Sequence, residues 1–207
     1  MIVDASVRKT RPGGNWLRSK GIFLGSIFLI FLLVTRQGAL LAWPQSDSPS
    51  EYQVKAAFLY NFVKFVEWPA EAFPDPHPPF IFGIVGDDPF ESELISLISE
   101  KNLGGRRFLV RRFRRNEDLR QCHILFISLS EKKYLSQILD SLKGSSILTV
   151  SDAEGFTRSG GMIGFVLEEN RVRLEISPKI AGRSQLKISS KLLALARIVD
   201  EDRAGSN

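Results

Sequence analysis

Cysteine is almost missing from this chain: of 207 residues only Cys122 carries a thiol, so no disulfide can close within one copy and the fold must be held by its core. Histidine is nearly as scarce, at His77 and His123. Neither has a cysteine or carboxylate at ligand spacing, which argues against a metal centre. Catalytic signatures are also lacking. There is no G-x-S-x-G elbow, and His123 lies at the opposite end of its strand from Ser128. The pairs Gly104-Gly105 and Gly160-Gly161 do not open a helix at the spacing of a phosphate-binding loop, so no cofactor is expected. Net charge is the last scarcity. The formal +5 resides in the first 42 residues, where six basic side chains face the single acid Asp4, and beyond Ala42 the 22 basic and 22 acidic residues cancel. Global charge therefore gives nucleic-acid binding no support.

The front of the chain is basic and then apolar from Gly21 to Val34, a run short for a bilayer span and typical of a signal-peptide core. Ala39-Leu40-Leu41-Ala42 offers a small residue for cleavage; an uncleaved anchor over Ile22 to Trp43, interrupted by Arg36 and Gln37, is the other reading. Both put the remainder outside the cytoplasm, in the periplasm. Residues 1–42 are read as leader, 43–50 as a Pro- and Ser-rich tether, 51–200 as one domain and 201–207 as a disordered tail.

The domain opens with Ser50 and Gln53 at capping-box spacing, followed by Val54, Ala57, Phe58, Phe62, Phe65 and Val66 as the expected inner face of a helix. Leu59, Tyr60 and Val63 fall off that stripe, so a second covered side is expected, supplied by the domain itself or by a second copy in a homodimer. Trp68-Pro69 ends the helix, and the five prolines from Pro69 to Pro79 demand an irregular loop. Strands follow at Phe80–Val85, Arg107–Phe113, Cys122–Ser128 and Ile147–Val150, with helices expected from Asp88 to Lys101 and from Ser130 to Lys143. Cys122 reads as a small buried hydrophobe. Alternation of this kind predicts an α/β, three-layer Rossmann-like sandwich: a mainly parallel sheet with flanking helices and an antiparallel C-terminal hairpin.

In such a sheet, ligands sit beyond the carboxyl ends of the strands, which here offer Asp87, Asp88, Ser128, Ser151 and Asp152. These are candidates for a small-ligand crevice, although helix capping explains Asp88 and Ser128 more simply. The one charge cluster beyond the leader is Arg107, Arg111, Arg112, Arg114 and Arg115, interleaved with Phe108 and Phe113. It reads either as a peripheral contact for anionic membrane or an acidic partner, or as an edge strand defended by charge.

From Gly161 to Leu167 apolar side chains fall on both parities, the mark of a strand covered on both faces; Arg171 to Ile176 then alternates strictly, as a strand with one wet face does. Ser189 or Ser190 caps a closing helix expected to bear Leu192, Leu195, Ala196 and Val199. The order GGMIGF, hairpin, LKISSKLLALA, together with Glu51–Phe62 (EYQVKAAFLYNF), Trp68-Pro69 and Ser146–Asp152 (SILTVSD), resembles the YfiR/HmsC-like family of small exported regulatory proteins. That resemblance implies a non-catalytic protein. Such proteins bind the extracytoplasmic sensor domain of an inner-membrane signalling protein, of the diguanylate cyclase or histidine kinase type, and hold it in check. Carried over position by position, it implies association through Tyr52, Phe58, Phe62 and Phe65 on the first helix, Phe156 in the loop before the hairpin, and Phe165 within it. Ser177-Pro178 departs from the family pattern, where an Asn usually follows the strand.

Overall fold

Ser50 starts the first helix by a reciprocal pair of bonds: the Gln53 N–H donates to Ser50 Oγ at 3.2 Å and the Ser50 N–H to Gln53 Oε1 at 2.9 Å. In this computed structural model the described residues are 49–73, 78–90, 92–99 and 101–200. The expected leader, nearly all the tether, His77 and the 201–207 tail lie outside the described residues.

Helix α1 (Glu51–Phe65) buries Lys55, Ala56, Leu59, Phe62 and Val63. The expected face is thus rotated by about one position. Val54, Ala57, Phe58 and Phe65 are only half-buried, while Leu59 and Val63, expected off the stripe, are inside. A helix apolar on nearly all sides has no hydrophobic preference strong enough to fix its roll. The face that won is the one that brings Lys55 onto Asp152.

After α1 the chain makes a short ribbon, β1 (Val66–Glu67), paired antiparallel with β9 (Lys187–Ile188). The main sheet is built from β2 (Phe80–Val85), β3 (Asn102–Leu103), β4 (Arg106–Phe113), β5 (Ile124–Ile127), β6 (Leu148–Ser151), β7 (Ile163–Glu168), β8 (Arg171–Ile176) and β10 (Ala196–Ile198). Their order is β10-β8-β7-β6-β5-β2-β4-β3. The five strands from β4 to β7 run parallel, β8 pairs antiparallel with β7, and β10 runs parallel to β8. The expected α/β sandwich with its antiparallel hairpin is therefore present. The first strand, β2, lies between the second and third parallel strands, so the connections reverse direction between β2 and β5.

Two hydrophobic clusters flank the sheet. One joins α1 and α2 (Glu93–Ile98) to an aromatic surface that includes Phe62, Phe80, Phe82, Phe108, Phe126 and Phe165. The other joins α3 (Leu135–Ser141) to Val85, Phe113, Leu125, Ile127 and Phe156. The remaining helices are α4 (Pro178–Arg183) and the single turn α5 (Ser190–Leu193).

Several elements differ from the sequence pattern. Asp88 does not start a helix; its Oδ1 accepts the Phe90 N–H at 2.9 Å in a local turn, and α2 begins only at Glu93. Ahead of α3 the chain makes a 3₁₀ segment from Leu129 to Tyr134. The closing helix stops after Leu193, and Ala196–Ile198 instead forms β10 against β8. Helical spacing there loses to the open edge of β8, whose backbone groups need partners; the Val199 N–H continues the pairing onto the Ile176 carbonyl at 2.8 Å. The wet face expected on β8 fails at the same place, because Glu175 is buried under Arg197 of β10 and Thr157.

Candidate functional site

At the reversal point the strand ends are filled from within. Ser128 and Ser151 are buried at 5% and 0% exposure. Ser151 Oγ donates to the Ile127 carbonyl at 2.6 Å and accepts the Ala153 N–H at 3.0 Å, while Ser128 Oγ accepts the Ser130 N–H. Gly86, at φ +88, lies so close to the next turn that a Cβ would sit 2.5 Å from Ser130 Oγ and 2.8 Å from Glu131 Cγ. Asp87 is exposed; Asp88 is bound by Arg112. The five residues read as one crevice therefore do not line one. A cleft of about 570 Å³ does open just beyond, but its walls are Gly86, Arg114, Arg115, Asn116, Glu131 and Gln137.

Asp152 turns instead toward α1. Lys55 is 3% exposed, and its Nζ lies 2.7 Å from Asp152 Oδ2 and 2.5 Å from Glu51 Oε1, 4.3 Å from the centre of the Tyr52 ring. Tyr52 donates its hydroxyl to the same Asp152 oxygen at 3.1 Å. Burial alone would push the Lys55 ammonium down, but the bonds to Asp152 and Glu51 outweigh it and hold the group above its ordinary value. Burial, reinforced by the Asp152 charge, pushes the Tyr52 phenol up. The other carboxylate oxygen, Asp152 Oδ1, is buried without a partner among the described residues. Tyr52 and Asp152 thus belong to one cluster, and its centre, Lys55, is a residue the sequence pattern did not single out. A lysine inside the motif EYQVKAAF was the available signal.

Of the six side chains expected to touch a partner, three are interior. Phe62, Phe156 and Phe165 are 0%, 1% and 4% exposed. Phe62 stacks on Phe165 at 6.1 Å, which fixes α1 to the hairpin. Phe156 packs so tightly on Gly161 that any Cβ there would enter its ring, which accounts for the second glycine of GGMIGF. Contrary to the expectation, none of these three is a surface contact residue: each would have to leave the core to reach a partner. Tyr52, Phe58 and Phe65 are half-buried at the surface. Phe58 lies 6.1 Å from the Phe165 ring and borders a groove of about 490 Å³ together with Val54, Leu167, Val172 and Arg171. Leu167, 53% exposed, is the apolar side chain that the hairpin presents there.

The arginine cluster is divided by strand geometry. Along β4 successive side chains alternate faces, so Arg111 and Arg112 point to opposite sides of the sheet. Acids and amides then occupy them: Arg111 bonds Gln121 at 2.5 Å, Arg112 meets Asp88 at 2.6 Å, and Arg115 clasps Glu131 through two nitrogens at 2.5 and 3.2 Å. The Arg115 guanidinium also lies 3.3 Å from the centre of the Tyr134 ring. Arg107 and Arg114 are exposed and make no ion pair among the described residues. A single continuous basic patch is not formed.

A model of the YfiR/HmsC-like family matches residues 52–197. The chain belongs to the YfiR/HmsC-like family. Its members are known as periplasmic regulators and are generally regulatory rather than catalytic. A search of curated proteins gives no match. Among solved structures, the chain is similar to a conserved domain protein from Vibrio cholerae O1 biovar El Tor strain N16961, at 10% identity and a TM-score of 0.48. The alignment covers 73% of this chain and 60% of that one, so this chain spans less than two thirds of that protein's length.

The two residues of this YfiR/HmsC-like chain most often recruited for chemistry elsewhere are locked in structural roles. His123 is stacked between Phe73 and Phe80, each ring centre 4.7 Å away. Its Nδ1 accepts the Ile81 N–H at 3.1 Å, which leaves Nε2–H to donate to the Ala72 carbonyl at 3.2 Å; burial pushes its pKa down, toward the neutral form. Cys122 is buried, donates to the Leu119 carbonyl at 3.2 Å, and has its thiol pushed up to about 12 by burial. Among the described residues no cluster of three His, Cys, Asp or Glu side chains is placed to hold a metal.

Proposed function

We propose that this protein is an exported, non-catalytic regulator that binds the extracytoplasmic sensor part of an inner-membrane signalling protein, of the diguanylate cyclase or histidine kinase type, and restrains it. Membership of the YfiR/HmsC-like family over residues 52–197 supports the regulatory role. The observation that carries a contact mode is the groove between α1 and the β7–β8 hairpin. There Phe58 is half-buried and Leu167 is 53% exposed, so apolar area is left for a partner to cover. Covering the half of Leu167 that is still exposed contributes about 1 kcal/mol to association.

The test is cross-linking in cells from a photoreactive residue at position 167 of the full chain, followed by identification of the adduct. The expected product is an integral membrane protein with an extracytoplasmic domain, and Leu167→Asp is expected to release its output while leaving the melting temperature of the regulator unchanged. A cross-link only to a second copy of the chain would make the groove a homodimer face and refute the contact mode. Recovery of the chain from the cytosol alone would refute export and the function with it.

A further inference from the structure

Between α3 and α4 lies a second cleft, of about 420 Å³, which shares no lining residue with the groove just described. Its floor is apolar: Leu142, Ile147, Met162 and Ile180 line it, all of them buried. Its rim is cationic. Lys143, Arg158 and Arg183 stand there against one acid, Asp140, and that carboxylate is already bound by Lys143 at 2.6 Å. Arg158 is exposed and makes no ion pair among the described residues. One more polar group lines the cavity from below the surface: Thr149, 2% exposed, whose Oγ1 accepts the Met162 N–H at 3.1 Å. A hydroxyl that accepts still has a proton to give, and this one has no acceptor among the described residues.

A concave apolar floor with a few fixed polar groups, in the range of roughly 300 to 1,000 Å³, is the construction of a small-molecule site. We propose that this cleft binds a small amphipathic carboxylate, with its apolar body on Ile147, Met162 and Ile180 and its head group held by Arg158. The Arg158 guanidinium, outside any ion pair among the described residues although its charge also reaches Glu175, matches one negative charge, and its planar fork fits the two oxygens of a carboxylate. The Thr149 hydroxyl supplies a buried donor. This site is independent of the partner contact proposed above and stands or falls separately.

The experiment is calorimetric titration of the purified full chain with three probes: octanoate, 1-octanol, which keeps the body without the charge, and acetate, which keeps the head without the body. Octanoate is expected to bind once per chain, and the other two at least about tenfold more weakly, since a hydrogen bond to a charged group is worth at least a decade in affinity. Arg158→Gln is expected to reduce octanoate to the level of octanol. Ser136→Phe, at an exposed position on the α3 wall, is expected to block the cleft. Both positions are at the surface, so circular dichroism should report native folding; if Ser136→Phe fails that check, Arg158→Gln decides. No octanoate binding, equal binding of octanol, or octanoate affinity unchanged by Arg158→Gln overturns the proposal.

Discussion

Two charged regions of this molecule are opposites in everything but sign. From Arg107 to Arg115 the chain gathers five arginines within nine residues, yet they are largely exposed and, along β4, shared between two faces of a strand. Around Lys55 there is one cation, but it is buried beneath Tyr52 and bound to Asp152 and Glu51, the first of them 97 residues away in sequence. Number of charges and energetic weight run in opposite directions here. In water the attraction between an arginine and a carboxylate is screened and offset by side-chain entropy, whereas a buried ammonium that loses its partner has no solvent to replace it. The single lysine should therefore hold more of the fold together than all five arginines.

The sharpest way to break that comparison is Lys55→Ala. It leaves the largely covered Asp152 carboxylate with the Tyr52 hydroxyl but no opposite charge, its Oδ1 having no partner among the described residues, and the expected loss is about 3–5 kcal/mol in urea unfolding. The double variant Lys55→Met with Asp152→Leu removes both charges and is expected to recover most of that loss; a double variant as unstable as the single one would show that packing, and not the ion pair, is at stake. The pH dependence has a definite sign. The Lys55 pKa is raised in the folded state, so its contribution is complete below the ordinary lysine value of 10.5 and is lost as pH rises through the folded value. Alkaline titration of stability should accordingly flatten in the double variant.

Glu175 gives the intermediate case. It is 6% exposed, but its partner Arg197 is more than half exposed, and Thr157 donates to the second oxygen at 2.9 Å. Burial alone would raise its pKa; the bonds from Arg197 and Thr157 outweigh that and hold it below the ordinary 4.5. A depressed carboxyl contributes stability above its unfolded value and loses it as pH falls through the folded one. Glu175→Gln is expected to cost about 1–3 kcal/mol at neutral pH and to reduce the acid sensitivity of the fold below about 4.5, as followed by circular dichroism. Equal acid sensitivity in variant and wild type would place the loss elsewhere.

What could be read beforehand follows the same division between local and distant causes. The strand β2 and the capping box at Ser50 were legible because each depends on neighbours within a few residues: apolar side chains in an unbroken run, or a serine three places before a glutamine. The roll of α1, the strand β10 and the burial of Glu175 were not, since each is decided by a residue far along the chain. Asp152 chooses the inner face of α1, and the open edge of β8 overrides the helical spacing of Leu192 to Val199. The candidate site suffered most. Aromatic side chains such as Phe62, Phe156 and Phe165 look alike whether they form a contact surface or fill a core, and only the sheet above them tells which. Leu167 is exposed because of its place late in β7, where the layer covering Ile163 and Phe165 has ended.

The smallest effect is expected at Arg112, and it tests the other side of the comparison. Its guanidinium is 56% exposed, and the Asp88 it meets keeps a second bond from the Phe90 N–H whatever becomes of the arginine. Arg112→Gln should therefore cost less than about 1 kcal/mol, and a double-mutant cycle with Asp88→Asn should give a coupling of that size or smaller. In about 1 M salt, where charges are screened beyond roughly 3 Å, the coupling should fall further, whereas the loss at Lys55 should persist because salt does not reach a buried pair. A coupling above about 2 kcal/mol that survived salt would mean that β4 carries its arginines as structural ties, and the contrast between the two regions would be gone.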